Sequence, residues 1–435
     1  MRIAYITSGA ANMYCGSCLR DNTLAAALLR QGIDVQLIPT YTPIRTDQEN
    51  VSLDRVFLNG GSIYLQQRFP RISRLPFVEN IVNQPWLVRL LSRNSASMHP
   101  RHLGELTVSM LSGTDGNQKR AIEKLVAWLQ ESEQPELINF SNVLIGGCIP
   151  AIRDAMDVPI LVTLQGDDIF LDRLDSPYRQ QALEAIGRLL PKIDGFVVFS
   201  QFYAERMADF LGIDISRFHV VPLGIDVTPF QTFSQVAVKT RNKHPPTIGY
   251  LARVCEAKGL HLLVDAYLLL RQMQGTENVQ LRIAGWLGAE DRSYAESQFA
   301  RVRAVVNNQT DPYVGELDLE GKVQFLSNLD LFSVPSPYRE PKGLYVLEAL
   351  AAGVPVVQPD HGAFPELLSQ TGGGRLVRPG DTQDLAKSLY ELLRQPEVCR
   401  QIGNEGRKQV HQHFNADTAA AATLKVYQQY ILSND

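Results

Sequence analysis

Apolar positions along this chain alternate between two rhythms. Short uninterrupted apolar runs, as expected of strands buried on both faces, are followed by longer segments whose apolar residues recur three and four apart. Residues 3–7, 33–38, 137–140, 160–164, 195–199 and 218–222 read as strands, and 21–31, 118–130 and 143–156 as helices between them. From 227 to 246 the periodicity lapses into a polar stretch containing Thr, Lys and Pro, which reads as a linker. The alternation then restarts, with strands at 247–251, 279–284, 331–334, 354–358 and 375–377. Its helices are expected at 260–273, 293–308, 382–394, 396–411 and 416–432. This pattern predicts an α/β protein of two Rossmann-like, doubly wound domains, 1–226 and 247–415, facing a cleft between their carboxyl edges.

An irregular insertion at about 44–115 breaks the first domain. Between 62 and 104 it carries Arg68, Arg71, Arg74, Arg89, Arg93 and Arg101 against the single acid Glu79, interleaved with Tyr64, Phe69, Phe77 and Trp86. One reading is a solvated surface insertion; the other is peripheral contact with an anionic membrane or an anionic acceptor.

Composition narrows the function classes. At 435 residues two domains are the default, and 45% hydrophobic with 20% charged residues is ordinary for a globular protein. A net charge of −4 gives no electrostatic reason to bind nucleic acid. No apolar run approaches the roughly 18 residues of a membrane span, and the first residues lack the flanks of a signal peptide. The expected location is the cytoplasm, with the inner face of a membrane as a peripheral alternative. Five scattered cysteines argue for reduced thiols. Cys15 and Cys18 form a C-x-x-C that reads as a redox pair, as half of a zinc site, or as small core residues. No second pair completes a zinc site, so no metal is expected.

The segment 335–365, PSPYREPKGLYVLEALAAGVPVVQPDHGAFP, concentrates the candidate chemistry. Glu340 falls in a Pro-bounded loop, and Glu348 in a helix expected to begin near Gly343 and end at Gly353. The unsatisfied amides and dipole of that helix N-terminus favour an anion, and carboxylates accept hydrogen bonds from hydroxyls. A nucleotide sugar satisfies both. The same carboxylates can be read as a glycoside hydrolase pair. Eight helical residues would separate them by about 12 Å, beyond the roughly 5–9.5 Å such pairs need, which disfavours that reading. The plain alternative is two solvated glutamates on a capped surface helix. In the first domain the loop from Ser8 to Gly16 lies at the ligand side of the sheet but lacks G-x-G-x-x-G, which argues against NAD. Gln165, Asp167 and Asp168 leave another strand on that side.

With these residues in hand, the chain resembles the group 1 retaining glycosyltransferases of the GT-B fold. The resemblance rests on PSPYREPKGLYVLEALAAGVPVV, HGAFPEL and GGGRLVRPGD, with GYLARVCEAKGLHLLVDAY, VVPLGIDVTPF and SGAANMYCGS upstream. It implies transfer of a sugar from a nucleoside diphosphate sugar to a hydroxyl acceptor, with no cofactor and no protein nucleophile. It assigns Arg253 and Lys258 to the donor pyrophosphate, Glu340 to the donor sugar, and the amides of Gly343, Leu344 and Tyr345 to the phosphate. Glu348 would bind the ribose, and Gly16 would approach the phosphates from the first domain. It also implies that the last helix, 416–435, crosses back to brace the first domain.

Two family histidines are replaced, in regions reading Asn139-Phe140-Ser141-Asn142 and Gln165. Asn142, Gln165, Asp167 and Asp168 are therefore the acceptor-side candidates. Lys342 stands where the family commonly has a smaller or aromatic residue. The missing histidines keep a second reading open, a catalytically weak sugar-nucleotide-binding or scaffold subunit; a GT-B phosphorylase or epimerase is a third.

Overall fold

The computed structural model describes residues 1–9, 15–58, 100–231, 245–306 and 311–432, with the side chains of helix Pro100–Leu111 described from 103 onward. The arginines at 68, 71, 74, 89 and 93 and the side chain of Arg101 lie outside the described residues, as do 10–14 of the first glycine loop and 232–244 of the expected linker.

The chain divides into two compact units, Met1–Val221 with Ala419–Asp435, and Pro222–Thr418. The first contains a parallel six-stranded sheet: β1 (Arg2–Thr7), β2 (Asp34–Pro39), β3 (Leu137–Phe140), β4 (Ile160–Thr163), β5 (Gly195–Val198) and β6 (Phe218–Val220), in the order β2-β1-β3-β4-β5-β6. The second has five parallel strands: β7 (Thr247–Leu251), β8 (Gln280–Ala284), β9 (Leu331–Phe332), β10 (Val356–Pro359) and β11 (Gly374–Val377), in the order β11-β10-β9-β7-β8. The central strands are buried at nearly every position, as helices on both faces require.

In each sheet the strand order reverses beside its first strand, so the loops leaving two neighbouring strands diverge and open a crevice. In the second unit that point lies between β7 and β9. The loops there run from Ala252 toward Lys258 and from Ser333 to Gly343, and they carry Arg253, Lys258 and Glu340. In the first unit the point lies between β1 and β3.

The last helix, Ala416–Leu432, lies mostly in the first unit. Tyr427 is fully buried, and the Tyr430 hydroxyl meets His219 Nε2 at 2.8 Å. Several expectations needed correction. The first helix spans Gly16–Arg30, five residues earlier than its apolar face suggests, because its first turn is built of Gly, Ser and Cys. Helices Pro100–Leu111, Tyr178–Leu189 and Leu319–Ser327 were not anticipated. Tyr178–Leu189 buries only a narrow stripe of Ala182, Ala185, Ile186 and Leu189, and Leu319–Ser327 buries a lysine on its apolar stripe.

Candidate active site

Of the donor-side candidates, Lys258 and Tyr345 meet at Glu340, whereas Arg253 and Glu348 pair with other side chains. Helix Leu344–Ala351 begins after Gly343, whose φ of +85° turns the chain sharply out of the Pro335–Lys342 loop. Val346 N–H is bonded to the Gly343 carbonyl at 2.9 Å. The amides of Gly343, Leu344 and Tyr345 precede it and sit at the positive end of the helix. Gly362 presses the following loop against the backbone of Glu340. A Cβ there would lie 2.6 Å from both its nitrogen and its oxygen, so only glycine fits. Ala363 N–H then bonds the Glu340 carbonyl at 2.8 Å.

Three donors meet on one carboxylate oxygen. Lys258 Nζ lies 2.7 Å from Glu340 Oε2, the Tyr338 hydroxyl 2.8 Å and the Tyr345 hydroxyl 3.1 Å. Lys258 also donates to the Tyr338 hydroxyl and lies 5.0 and 5.1 Å from the Tyr338 and Tyr345 ring centres. No donor among the described residues reaches Oε1. Burial pushes the Glu340 carboxyl upward, but Lys258, Tyr338 and the nearby Lys342 outweigh it and hold it below its ordinary value. Burial, reinforced by Glu340, raises both tyrosines, so their hydroxyls stay protonated donors. The result is an ionised acceptor with one oxygen saturated.

Arg253 reaches Glu290 Oε1 at 2.7 Å and Asp291 Oδ2 at 3.0 Å, with its guanidinium 5.0 Å from the centre of the Trp286 ring. Glu348 is paired with Lys322 Nζ at 2.6 Å. The sequence reading missed Lys322, although it falls on the stripe of Leu319, Val323 and Leu326, where a lysine signals a buried partner. It also assigned no role to the hydroxyls of Tyr338 and Tyr345. On the same sheet edge the Ser336 hydroxyl, both amide atoms of Gln358 and both ring nitrogens of His361 are buried without a partner among the described residues.

The first-unit candidates also come together, at the ends of β3 and β4, but they bond to other groups of the first unit. Asp167 accepts Val143 N–H on Oδ1 and Gln165 N–H on Oδ2, both at 2.8 Å. Burial drives its pKa up to about 6 against these amides. Asp168 accepts from the Tyr203 hydroxyl at 2.9 Å and faces Arg206. Gln165 Nε2 donates to Asp21 and to the Ser141 carbonyl. Asn142 caps the turn Val143–Cys148 through Ile145 N–H at 3.2 Å. Gly16 is the first residue of its helix. Among the described residues no group of three or more His, Cys, Asp or Glu is placed to hold a metal ion.

Comparison with known proteins agrees with this architecture. Residues 232–409 match the family model for glycosyl transferases group 1, and 102–228 that for glycosyltransferase family 4. Together these matches support a group 1 glycosyltransferase of the two-domain GT-B fold. It is 28% identical over 250 residues to an MMP alpha-(1->4)-mannosyltransferase of Mycolicibacterium hassiacum, covering 57% of this chain and 56% of the relative. It is 29% identical over 239 residues to the phosphatidyl-myo-inositol mannosyltransferase of Mycobacterium leprae, covering 54% and 59%. These matches thus span little more than half the length of either relative. In structure it resembles a sucrose-phosphate synthase of Thermosynechococcus elongatus, with a TM-score of 0.71 at 19% identity over 100% of both chains. An Anabaena protein solved with UDP and glucose gives a TM-score of 0.65 at 17% identity, over 98% of this chain and 99% of that one.

Proposed function

We propose that this protein is a retaining glycosyltransferase that moves a sugar from a nucleoside diphosphate sugar to a hydroxyl acceptor. The observation that carries the reading is the convergence of Lys258, Tyr338 and Tyr345 on one oxygen of Glu340, beside the helix N-terminus at Gly343. Glu340 Oε1 takes a hydroxyl of the donor sugar, and the amides of Gly343, Leu344 and Tyr345 take the phosphate. Arg253 and Lys258 supply positive charge to the pyrophosphate, and Glu348 holds the ribose. As the glycosidic C–O bond to phosphate breaks, negative charge grows on the leaving oxygen, where fixed cations and helix amides stabilise it. The acceptor hydroxyl then attacks from the same face and gives its proton to the leaving phosphate. With the chain's own cations on the phosphates, the step is proposed to run without a metal.

The test is a panel of UDP, GDP and ADP in thermal-shift titrations, followed by UDP-glucose, GDP-mannose and ADP-glucose assayed for slow hydrolysis with and without EDTA. Binding of one nucleotide and EDTA-insensitive release of its sugar as the α-anomer are expected. Absence of nucleotide binding overturns the reading. One observation favours a second reading, a binding subunit without transfer: Asn142, Gln165, Asp167 and Asp168 all bond internally. Nucleotide-sugar binding without hydrolysis or transfer would identify it.

A further inference from the structure

The transfer chemistry leaves Cys15 and Cys18 unused, although they flank Gly16. Cys15 is the N-cap of helix Gly16–Arg30, with extended backbone at φ −105° and ψ 122°, and Cys18 lies in the first turn. Cys15 is partly exposed, whereas Cys18 is fully buried. The neighbouring Cys15 thiol and burial push the Cys18 thiol up and keep it protonated. Cys15, reachable and at the positive end of a helix dipole, is the thiol of the pair placed to react. One turn further on, Asp21 bonds the Tyr5 hydroxyl at 3.0 Å and Thr7 Oγ1 at 2.9 Å, which anchors the helix from Cys18 onward.

We propose that Cys15 and Cys18 form a reversible dithiol–disulfide site, oxidised by exchange with an external disulfide. The Cys15 thiolate attacks one sulfur of that disulfide, forming a mixed disulfide and releasing one thiolate. Cys18 then gives its proton to the released thiolate, and its sulfur attacks Cys15, expelling the second thiolate, which takes its proton from solvent. Two protein thiols are oxidised and one external disulfide is reduced to two thiols. Residues three apart on a helix have Cβ atoms about 5–6 Å apart, whereas a disulfide needs about 3.5–4.5 Å. Closing the bond therefore draws in the first turn, and the movable end is the non-helical Cys15. Gly16 and Ser17 lie inside the closed ring. Oxidation thus reshapes the Gly16 backbone.

The full chain is incubated with glutathione disulfide, quenched in acid, alkylated with N-ethylmaleimide under denaturing conditions, and mapped by mass spectrometry. The expected product links Cys15 to Cys18, leaves Cys148, Cys255 and Cys399 alkylated, and reverts with dithiothreitol. Cys18→Ser should trap glutathione on Cys15, and Cys15→Ser should yield neither bond nor adduct at Cys18. Full alkylation of all five cysteines, or a mixed disulfide that persists in the wild type, overturns the site; neither result depends on any nucleotide.

Discussion

The two domains share one architecture yet treat their carboxylates in opposite ways. In the first, Asp167 has an amide on each oxygen and Asp168 faces Tyr203 and Arg206, so these groups brace the loops after β3 and β4. In the second, Glu340 receives all three of its donors on Oε2. A carboxylate bonded by backbone amides on both sides is a structural brace. One bonded by side chains on a single oxygen, beside an open helix N-terminus, is built to receive something. Position at the carboxyl end of a parallel strand therefore does not by itself mark a binding group. How its lone pairs are occupied does.

The most direct way to break the comparison is Glu340→Gln. The proposed function predicts a fall in sugar release of about 10²–10³-fold, the scale of losing one oriented transition-state hydrogen bond. The amide oxygen can still accept from Tyr345, so the melting temperature should drop by no more than about 5 °C. A near-normal rate would remove Glu340 from the site. Asp167→Ala should show the converse. It orphans two buried amides at about 1–3 kcal/mol each, so stability should fall by about 2–6 kcal/mol in urea unfolding. Nucleotide affinity, carried by the other domain, should stay within about twofold, a margin of about 0.4 kcal/mol. A parallel loss of affinity would mean that Asp167 is more than a brace.

Stability as a function of pH sharpens the contrast. Asp167 is held up to about 6, above its ordinary 3.8, so between these values the folded chain keeps a proton that the unfolded chain has lost. Its contribution is greatest at low pH and declines as pH rises from about 4 to about 6, with a ceiling of about 3 kcal/mol. Glu340, held below its ordinary value, runs the other way: its contribution is present at neutral pH and lost as pH falls through its folded value. Relative to Asp167→Asn, the wild type should lose about 2 kcal/mol between pH 4 and pH 6.5, measured from urea midpoints. A constant difference would contradict the burial of this carboxylate.

Much of this was legible in the sequence because it is written in local pattern. The parallel strands are continuous apolar runs, and the glutamates, Gly343 and Lys258 stand at fixed offsets from them. Long-range side-chain pairing was not legible. Lys258 and Glu340 are distant in sequence and are joined by the adjacency of β7 and β9, a property of strand order. Lys322 meets Glu348 through a helix whose apolar stripe the lysine itself interrupts. The bracing role of Asp167 depends on the amides of Val143 and Gln165, and backbone amides carry no residue-type signal. The arginines at 68, 71, 74, 89 and 93 fall outside the described residues, so the two readings of that segment stand as the sequence left them.

The smallest expected effect is also the most discriminating. Tyr345→Phe removes one of three donors on Oε2 and leaves the ring packed near Phe332 and Phe364, at 6.2 and 6.3 Å between centres. Lys258 and Tyr338 still hold that oxygen, so the carboxylate stays ionised but turns more freely, a loss of about 1 kcal/mol in orientation. If Glu340 presents Oε1 to the donor sugar, that loss falls on the sugar alone. Affinity for the nucleotide sugar should then drop about fivefold while affinity for the parent nucleoside diphosphate is unchanged. Were Tyr345 only a core residue, both ligands would weaken together or neither would. Titrating the two ligands side by side against one preparation of the variant separates these outcomes, because any general loosening of the helix N-terminus is common to both.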